Sequence, residues 1–364
     1  MASASKDNLK IALFCGGAGT RMWPLGRSQK PKQFQPLIWG KSTFELMIGR
    51  LLKGFRPDQI FPVVSREYVG FVAQQASSVP LENIIIEPAL RDTFAAVGLT
   101  AAILNSKFGQ TPVCALWTDH LVKNEKAFLE SLVAAAALAQ EEHKMVEIGV
   151  RPTFPSTQLG YIKLGKMFKK IDGMAVFEFI KQIEKPDSSQ ATTFVASWEY
   201  LWHVGYAVWE SDTMLGFFRR LQPETFSVLD KIAKTKNETK IAKLYQKIPK
   251  VSLDFAILEK LDTKDRLVIS ADLGWADVGA WDVLQDELSQ NSQKLVVLGK
   301  VLDIDSKNSL IYETIDGKVL ATVGLEGFIV VDTPDALLIC PKGRAHDVKK
   351  IVEKLKEEGK DDYL

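Results

Sequence analysis

Short apolar runs alternate with helical segments over the first 150 residues, and this alternation constrains the fold more than any other feature of the sequence. The apolar runs are rich in Val, Ile, Leu and Phe, residues that suit buried strands. Strands that alternate with helices are typical of a mostly parallel sheet covered by helices on both faces. The predicted strands are KIALF, IFPVV, NIII, PVCALW and MVEIGV, and the predicted helices are 43–53, 68–76, 93–106 and 125–142.

The remainder of the chain divides into two stretches of different character. Residues 161–288 mix strands with helices and continue the α/β pattern, whereas the strands beyond them follow one another closely and end in a charged helix near 347–358. We therefore predict an α/β domain over residues 1–290 and a small β-rich domain with a terminal helix over residues 291–364. Because ligands bind beyond the carboxyl ends of parallel strands, the site is expected in the loops after KIALF, NIII and PVCALW.

The composition excludes several classes of protein. With 46 basic and 45 acidic residues, the formal net charge is only +1, so the chain lacks the broad positive field of a nucleic-acid-binding surface. Its apolar runs stay well short of the ~18 residues that span a bilayer, and its first residues are polar where a secretory signal is apolar. Cys15, Cys114 and Cys340 are odd in number and lack metal-ligand spacing, which is typical of buried thiols in a reducing compartment. We expect a soluble cytoplasmic protein with no nucleic-acid or membrane partner.

A glycine-rich loop follows KIALF directly. Glycines let the backbone approach a triphosphate closely, because a Cβ atom would obstruct the N–H groups that point at phosphate oxygens. A bare glycine-rich turn is structural about as often as it is functional, but Arg21 and Lys32 add the positive charge that phosphates require. The residues predicted to hold a nucleoside triphosphate are Gly16, Gly17, Gly19, Thr20, Arg21 and Lys32.

Two commoner phosphate motifs do not fit this chain. A dinucleotide-binding fingerprint that begins at Gly17 would require its third glycine where Met22 stands. A P-loop that ends at residues 40–42 would require a glycine where Gln35 stands, and no strand directly precedes that stretch. The glycine-rich loop therefore belongs to neither motif.

Two aspartates follow strand-like runs at positions where a carboxylate can meet a metal ion. Asp119 lies just beyond PVCALW, and Asp277 lies between a strand-like stretch and a helix. Taken alone, an aspartate at such a position is more often a helix N-cap than a metal ligand, by about two to one. Both interpretations stay open for each of them.

The loop after NIII carries Glu87 and Arg91 at the start of a predicted helix. A helix N-terminus with a nearby arginine suits a phosphate or a base. The alternative is an ordinary helix start capped by Thr93. The residues alone do not choose between these interpretations.

Polar residues that could contact a sugar are spread through the middle stretch. Glu184 can accept hydrogen bonds from hydroxyls and Lys185 can meet a phosphate, but without other context a solvated strand end is favoured by about three to one. His203 is slightly more often a core histidine than a ligand, and Asp254 is a sugar contact or a cap-region carboxylate with about equal weight. The candidates are Gly160, Tyr161, Glu184, Lys185, His203 and Asp254.

Several stretches together resemble the sugar-nucleotide pyrophosphorylases. The run GGAGTRMWPL at 16–25 and PKQF at 31–34 look like the first motif of that family, and specifically of its mannose-1-phosphate guanylyltransferase branch. Similar stretches occur at EPALRDT, WTDH, GYI, EKP, SLDFAILEK and WADVGAW, so the resemblance covers nearly the whole chain. It implies an α/β fold with a Rossmann-like, mostly parallel sheet flanked by helices, of the nucleotidyltransferase and glycosyltransferase-A-like type, with a small β-rich C-terminal domain.

The resemblance also implies an activity and a role for each candidate residue. The activity is the formation of GDP-mannose and pyrophosphate from mannose 1-phosphate and GTP, with Mg²⁺ as cofactor. Asp119 and Asp277 would hold Mg²⁺ together, and Arg21 and Lys32 would brace the triphosphate. Nucleotide contacts are implied for Glu87 and Arg91, sugar contacts for Gly160, Tyr161, Glu184 and His203, and a phosphate contact for Lys185, with Asp254 as a further sugar candidate.

Some positions depart from the motifs of the family. His203 stands where the family has asparagine, Trp117-Thr118 stands where it has Pro-Ala, and Gly26 stands where it has serine. Two alternatives therefore remain: a pyrophosphorylase for another sugar 1-phosphate or nucleoside triphosphate, and a non-catalytic regulatory subunit that binds sugar nucleotides. A homodimer formed through edge strands of the β-rich domain is a further expectation.

Overall fold

The chain forms two compact units, as seen in a computed structural model that describes residues 2–17, 19–289 and 294–364. The first unit comprises residues 1–16, 50–117 and 122–274, and the second comprises residues 17–49, 118–121 and 275–364. The segments of the two units therefore alternate along the sequence. The predicted boundary between residues 290 and 291 lies outside the described residues, and the two-domain division stays a prediction.

The helices and strands follow the sequence predictions closely in the first 150 residues. The helices are α1 (Ala2–Asn8), α2 (Thr43–Leu51), α3 (Val69–Gln75), α4 (Asp92–Phe108), α5 (Glu125–Glu142), α6 (Ser188–Ser197), α7 (Ser211–Leu221), α8 (Pro223–Ala233), α9 (Glu238–Tyr245), α10 (Leu253–Ala256), α11 (Trp281–Leu288) and α12 (Val348–Glu357). The strands are β1 (Lys10–Phe14), β2 (Ile60–Ser65), β3 (Ile85–Glu87), β4 (Pro112–Trp117), β5 (His120–Val122), β6 (Met145–Val150), β7 (Gly160–Ile171), β8 (Met174–Glu184), β9 (Tyr200–Glu210), β10 (Arg266–Ala271), β11 (Trp275–Asp277), β12 (Val296–Leu298), β13 (Val301–Ile304), β14 (Leu310–Glu313), β15 (Leu320–Val323), β16 (Phe328–Thr333) and β17 (Ala336–Pro341).

The first unit is built around one mixed sheet with the strand order β3-β2-β1-β4-β9-β6-β10-β8-β7. The predicted parallel arrangement is confirmed for β1 to β4, which pair in parallel with one another. Beyond β4 the sheet is mixed, because β9 runs antiparallel to β4 and β6 while β7 and β8 form a hairpin. The two hairpin residues, Asp172 and Gly173, have φ of 47° and 83°, the positive values that a tight two-residue hairpin requires.

Helices cover both faces of this sheet. On one face Phe94 of α4 stacks on Phe218 of α7 with ring centroids 4.8 Å apart. A Cβ atom on Gly98 would lie 2.9 Å from the Phe218 ring, so α4 approaches α7 this closely because residue 98 has no side chain. On the other face Phe128 of α5 packs edge-on against Tyr206 of β9, with centroids 5.7 Å apart. The predicted α/β fold is confirmed.

The second unit contains the predicted strand-rich region. β12, β14 and β16 form a parallel ladder with β17 antiparallel at its edge, and β13 pairs in parallel with β15. Successive strands along the chain from β12 to β16 join the two ladders alternately, so this part of the chain winds in a coil. Trp281 of α11, Leu310, Ile329 and Val352 of α12 share its apolar core. The β-rich region and the terminal helix predicted near 347–358 are confirmed.

The cysteines and the helices test two expectations from the composition. Cys15 and Cys114 are buried free thiols, and Cys340 is a half-buried one. Burial raises the pKa of the Cys114 thiol, which keeps it protonated at neutral pH. No helix in the described ranges is both long enough and apolar enough to cross a membrane. A reducing compartment stays a prediction.

Candidate active site

The glycine-rich loop of the second unit packs directly on the side chain of Lys32. Gly17 and Gly19 have φ of 98° and 62°, in the left-handed region that glycine favours, while Ala18 between them lies outside the described residues. A Cβ atom on Gly19 would lie 2.6 Å from Cγ of Lys32, so only glycine lets the loop approach this closely. Thr20 begins a short 3₁₀ turn, which is closed by a 2.8 Å hydrogen bond from the Met22 N–H to the Gly19 carbonyl.

Lys32 and Asp119 form an ion pair beside this loop. Lys32 is 6% exposed, and its Nζ lies 3.0 Å from Oδ2 of Asp119 and donates to the Val278 carbonyl at 3.3 Å. A buried ammonium is stable only with such partners. Burial alone would raise the pKa of Asp119, but the charges of Lys32 and His120 and the hydrogen bond from Lys32 outweigh it and lower the pKa to about 2. Asp119 is therefore a carboxylate at neutral pH.

Asp277 lies close to Asp119 and to Arg21 in the same unit. β11 pairs with β5, and the Val278 N–H donates to the Asp119 carbonyl at 3.2 Å. A Cβ atom on Gly279 would lie 3.0 Å from Nη2 of Arg21 and 3.2 Å from Oδ1 of Asp277. Arg21 and Asp277 therefore flank Gly279, which leaves space between them. The second unit thus brings together Arg21, Lys32, Asp119 and Asp277, which we call the phosphate cluster.

Neither aspartate is a helix N-cap. The N-cap of α11, the helix after Asp277, is Ala280, and that of α5, the helix after Asp119, is Asn124, whose side chain accepts from the Ala127 N–H at 3.1 Å. The capping interpretation of these two aspartates is therefore wrong. Neither carboxyl group is therefore used to cap a helix.

The two carboxylates fit a magnesium ion. Mg²⁺ prefers oxygen ligands and takes one or two carboxylates, with waters and substrate phosphates completing its shell. In the ranges that the structure describes, no group of three or more His, Cys, Asp or Glu side chains could hold a metal ion. Asp119 and Asp277 supply two carboxylates, as many as Mg²⁺ commonly takes from a protein.

His120 belongs to this neighbourhood, although the sequence analysis predicts no role for it. Its Nε2 lies 3.7 Å from Oδ1 of Asp119, and its ring meets Trp275 edge-on with centroids 5.0 Å apart. Burial lowers the pKa of His120 against the opposing charges of Asp119 and Asp277. Its place next to Asp119 in the sequence is the one signal that could have indicated this contact.

Four of the sugar candidates meet in the first unit. Gly160 pairs with both Glu184 of β8 and His203 of β9. A Cβ atom on Gly160 would collide with Oε2 of Glu184 and would lie 3.2 Å from Cβ of His203. Nδ1 of His203 lies 3.8 Å from Oδ1 of Asp254. We call Gly160, Glu184, His203 and Asp254 the sugar cluster.

The other two sugar candidates differ in how their side chains are placed. Nζ of Lys185 donates to Oε1 of Glu184 at 2.8 Å, and its side chain is 59% exposed, so its ammonium is accessible to an anion. Tyr161 is fully buried, and its hydroxyl donates to the Ser156 carbonyl at 3.0 Å. The Tyr161 ring is therefore not an exposed wall for a sugar, which leaves only its main chain for the predicted contact.

Asp254 is not the cap of its helix. Ser252 caps α10 by accepting a hydrogen bond from the Phe255 N–H at 3.3 Å. Oδ1 of Asp254 instead accepts from the amide of Gln182 at 3.0 Å. Asp254 nevertheless lies in the first turn of α10, so its interpretation as a cap-region carboxylate is confirmed, and the sugar contact stays a prediction.

The loop after β3 anchors the segment that leads to Asp254. The Tyr245 hydroxyl donates to Oε2 of buried Glu87 at 3.0 Å, and Nη1 of Arg91 donates to the Ile248 carbonyl at 3.3 Å. Thr93 does not cap α4, because the N-cap of that helix is Arg91. The Thr93 hydroxyl instead accepts from the Leu253 N–H at 2.8 Å. The predicted nucleotide loop therefore has a structural role that the sequence did not indicate.

We expect Glu87 to make stability depend on pH. Burial raises the pKa of Glu87 from 4.5 to about 7, although the Tyr245 hydrogen bond opposes this shift. The folded state therefore binds the proton more tightly, so the contribution of Glu87 is complete below about pH 4.5 and is lost as the pH rises through about 7. Relative to Glu87→Gln, the wild-type free energy of unfolding should fall by roughly 3 kcal/mol across this range.

Denaturant unfolding at a series of pH values measures this difference. Tyr245→Phe removes the hydrogen bond that stabilises the carboxylate, so the decline should extend to higher pH in that variant. Parallel pH profiles for the wild type and Glu87→Gln would contradict the assignment.

Two family models match this chain, one over most of its length and one near its C-terminal end. The Nucleotidyl transferase model matches residues 11–294, and the MannoseP isomerase/GMP-like beta-helix domain model matches residues 299–355. The chain therefore belongs to the nucleotidyl transferase family, and it is an enzyme of that class.

Its relatives confirm the resemblance to the mannose-1-phosphate guanylyltransferase branch. The chain is 34% identical over 362 residues to the xanthan biosynthesis protein XanB of Xanthomonas campestris. This alignment covers 97% of this chain and 74% of that relative. It is 30% identical over 368 residues to a mannose-1-phosphate guanylyltransferase of Escherichia coli, with 99% and 76% covered. The crystal structure named mannose-1-phosphate geranyltransferase, from Thermus thermophilus, aligns with a TM-score of 0.85 at 30% identity, with 96% and 99% covered.

Proposed function

We propose that this enzyme transfers a guanylyl group from GTP to the phosphate of mannose 1-phosphate, forming GDP-mannose and pyrophosphate. The observation that carries the proposal is the phosphate cluster, in which two cations and two carboxylates adjoin a glycine-rich loop. Membership of the nucleotidyl transferase family and relatives named mannose-1-phosphate guanylyltransferase support these substrates.

The reaction requires positioning and charge stabilisation rather than a covalent intermediate. A phosphate oxygen of mannose 1-phosphate attacks the α-phosphorus of GTP. As that P–O bond forms, the bond from the α-phosphorus to the bridging oxygen breaks and pyrophosphate leaves with the electron pair. The attacking oxygen is already ionised at neutral pH, so no general base is needed, and catalysis consists of holding the two anions together.

The phosphate cluster would neutralise the triphosphate. Lys32 is held by Asp119 at 3.0 Å, so its ammonium is already positioned when the nucleotide binds. Arg21 adds a guanidinium that suits phosphate oxygens, and the loop of Gly17 and Gly19 lacks the Cβ atoms that would block its N–H groups. Asp119 and Asp277 would hold Mg²⁺, which supplies further positive charge to the triphosphate and the leaving pyrophosphate when it is bound.

The first unit would bind the sugar phosphate. Glu184 and Asp254 offer partly exposed carboxylate oxygens to sugar hydroxyls. Lys185 offers its ammonium to the phosphate. Glu87 and Arg91 stay proposed nucleotide contacts, although Glu87 also accepts from Tyr245 at the end of α9 and Arg91 also donates to Ile248 beyond it.

A substrate panel tests the proposal. Purified enzyme with Mg²⁺ is incubated with each pairing of common nucleoside triphosphates and sugar 1-phosphates, and pyrophosphate and the sugar nucleotide are quantified. We expect the highest kcat/KM for GTP with mannose 1-phosphate and no pyrophosphate when either is omitted. A better pair would reassign the substrates, and no release from any pair would contradict the proposal.

Gly160→Ala should weaken binding of the sugar phosphate without unfolding the protein. The new Cβ atom would collide with Oε2 of Glu184, the mobile end of a side chain, and would lie 3.2 Å from Cβ of His203, so Glu184 would move and β9 would shift by only a few tenths of an ångström. Loss of one charged hydrogen bond should raise the KM for mannose 1-phosphate by about tenfold. Gly216→Ala is the matched control, because a Cβ atom there meets nothing within 4 Å. An unchanged KM in Gly160→Ala would remove Glu184 from the sugar site.

We also propose a homodimer formed through β13 and β15. Leu302, Ile304 and Val323 are 66%, 61% and 72% exposed, an apolar face that a second copy could cover. Light scattering on the purified chain would measure its mass, and a monomer at micromolar concentration would contradict the proposal.

A further inference from the structure

A buried arginine lies at the start of a hydrogen-bond chain that reaches the sugar cluster. The side chains of Arg266 and Glu147 are 1% and 0% exposed, and Nε of Arg266 donates to Oε2 of Glu147 at 2.8 Å. The guanidinium also donates to the Leu258 carbonyl at 3.3 Å and lies 3.6 Å from the centroid of the Phe179 ring. Arg266 is thereby fixed, and because a guanidinium has only donors, each of its partners must accept.

This arginine determines the orientation of the Gln182 amide. Nη2 of Arg266 donates to Oε1 of Gln182 at 3.1 Å. Nε2 of Gln182 lies 3.0 Å from Oδ1 of Asp254, and a carboxylate can only accept. Both contacts require the same orientation of the amide. Its remaining N–H group therefore points at Nδ1 of His203, 2.8 Å away.

The amide in turn determines where His203 carries its proton. Because its partner at Nδ1 is a donor, Nδ1 must accept, and the ring proton is on Nε2. Nε2 lies 3.3 Å from Oε1 of Glu147. The charged groups that face the ring are Glu147, Asp254 and, through Gln182, Arg266. Nδ1 is thus engaged by Gln182 within the protein, and the side chain of His203 is only 13% exposed.

We propose that His203 is a positioning residue, whose Nδ1 is kept as a hydrogen-bond acceptor by Arg266 through Gln182, and that Gln182 orients Asp254 as the acceptor for a sugar hydroxyl. The Asp254 side chain is 36% exposed, and Gln182 occupies its Oδ1. Hydroxyl recognition therefore belongs to Asp254 and Glu184 rather than to the histidine. The inference rests on the proposed function for the identity of the sugar.

The position of the proton tests this inference without an activity assay. The chain has four histidines, so ¹⁵N NMR near pH 7 can assign the ring of His203 by difference from a His203→Gln variant. We expect a singly protonated ring with hydrogen on Nε2 and a bare Nδ1. A proton on Nδ1, or a doubly protonated ring, would overturn the inference.

Gln182→Glu separates positioning from a merely structural role. It places a carboxylate oxygen where the amide donor was, facing Nδ1 of His203 and Asp254. We expect His203 to become doubly protonated and the KM for mannose 1-phosphate to rise by at least about tenfold, with the KM for GTP changed by less than about twofold. Gln182→Met removes the donor without adding charge, so it should raise the same KM and leave the ring singly protonated. Equal changes in both KM values, or an unchanged ring in Gln182→Glu, would count against the proposal.

The two proposals can fail separately. The expected ring signature in a wild-type protein that releases no pyrophosphate would overturn the proposed function alone. A wrong tautomer in an active enzyme would overturn the role of His203 alone. If a Gln182 variant does not fold, the wild-type ¹⁵N spectrum still shows which ring nitrogen of His203 carries the proton, and this tests the inference.

Discussion

Asp277→Asn should lower kcat by about 10²–10³, which corresponds to roughly 3–4 kcal/mol of lost transition-state stabilisation. The variant keeps the size of the side chain but removes a charge beside Arg21 and close to Asp119. Its carboxylate would hold the cation that offsets charge on the triphosphate, so the loss should fall on kcat more than on KM for the sugar phosphate. Initial rates of pyrophosphate release, with both substrates saturating, measure it.

The matched control is Asp316→Asn, which makes the same change of charge on an exposed turn of the second unit. It should retain wild-type kcat. Circular dichroism should show that both variants are folded. Near-wild-type turnover in Asp277→Asn would show that this carboxylate is not part of the chemistry.

Arg266→Met should cost about 3–5 kcal/mol of unfolding free energy, the largest effect on stability that we expect. The substitution leaves Glu147, which is fully buried, without its ionic partner. It also removes the contact with Phe179 and the hydrogen bond to the Leu258 carbonyl. Urea unfolding followed by tryptophan fluorescence measures the change.

Two variants test whether the cost comes from an uncompensated buried charge. Adding Glu147→Gln to Arg266→Met should recover part of the lost stability, because the unpaired charge is gone. Arg220→Met breaks the partly exposed ion pair with Asp265 and should cost at most about 1 kcal/mol. Equal losses in Arg220→Met and Arg266→Met would refute the distinction between buried and exposed pairs.

The residues of the phosphate cluster could be predicted from sequence because each lies in a short local pattern. Gly17 and Gly19 follow a strand directly, and Asp119 lies just beyond another. What the pattern does not contain is the pairing: Lys32 and Asp119 are far apart in the chain and meet only in the folded unit. The contact of Gly26 with the glycine-rich loop is likewise visible only in the folded unit. A Cβ atom on Gly26 would lie 2.8 Å from the Gly19 carbonyl oxygen, which accounts for glycine in place of the serine of the family.

The network around His203 could not be predicted. Glu147 and Arg266 lie in strands, where charged residues are usually on a solvated face, yet every residue of β6 is buried. Gln182 carries no motif at all. Their partners are separated by long stretches of sequence, so only tertiary packing brings them together.

An irregularity in β9 links two departures from the family motifs. The register of β9 against β6 shifts between Ile148 and Gly149, beside His203. Gly205, with φ of 75°, lies within this irregularity, and its carbonyl accepts from Nε1 of Trp117 at 3.1 Å. Trp117 and His203 therefore adjoin one bulge. A glycine within a strand-like run is the signal that could have indicated it.

Binding of a paramagnetic ion tests the central claim most directly. Mn²⁺, which shares the preference of Mg²⁺ for oxygen ligands, is titrated by electron paramagnetic resonance into wild type, Asp119→Asn and Asp277→Asn with GTP present. We expect each variant to bind Mn²⁺ at least about tenfold more weakly, because each would lose one of two carboxylate ligands. Wild-type affinity in both variants would contradict the account.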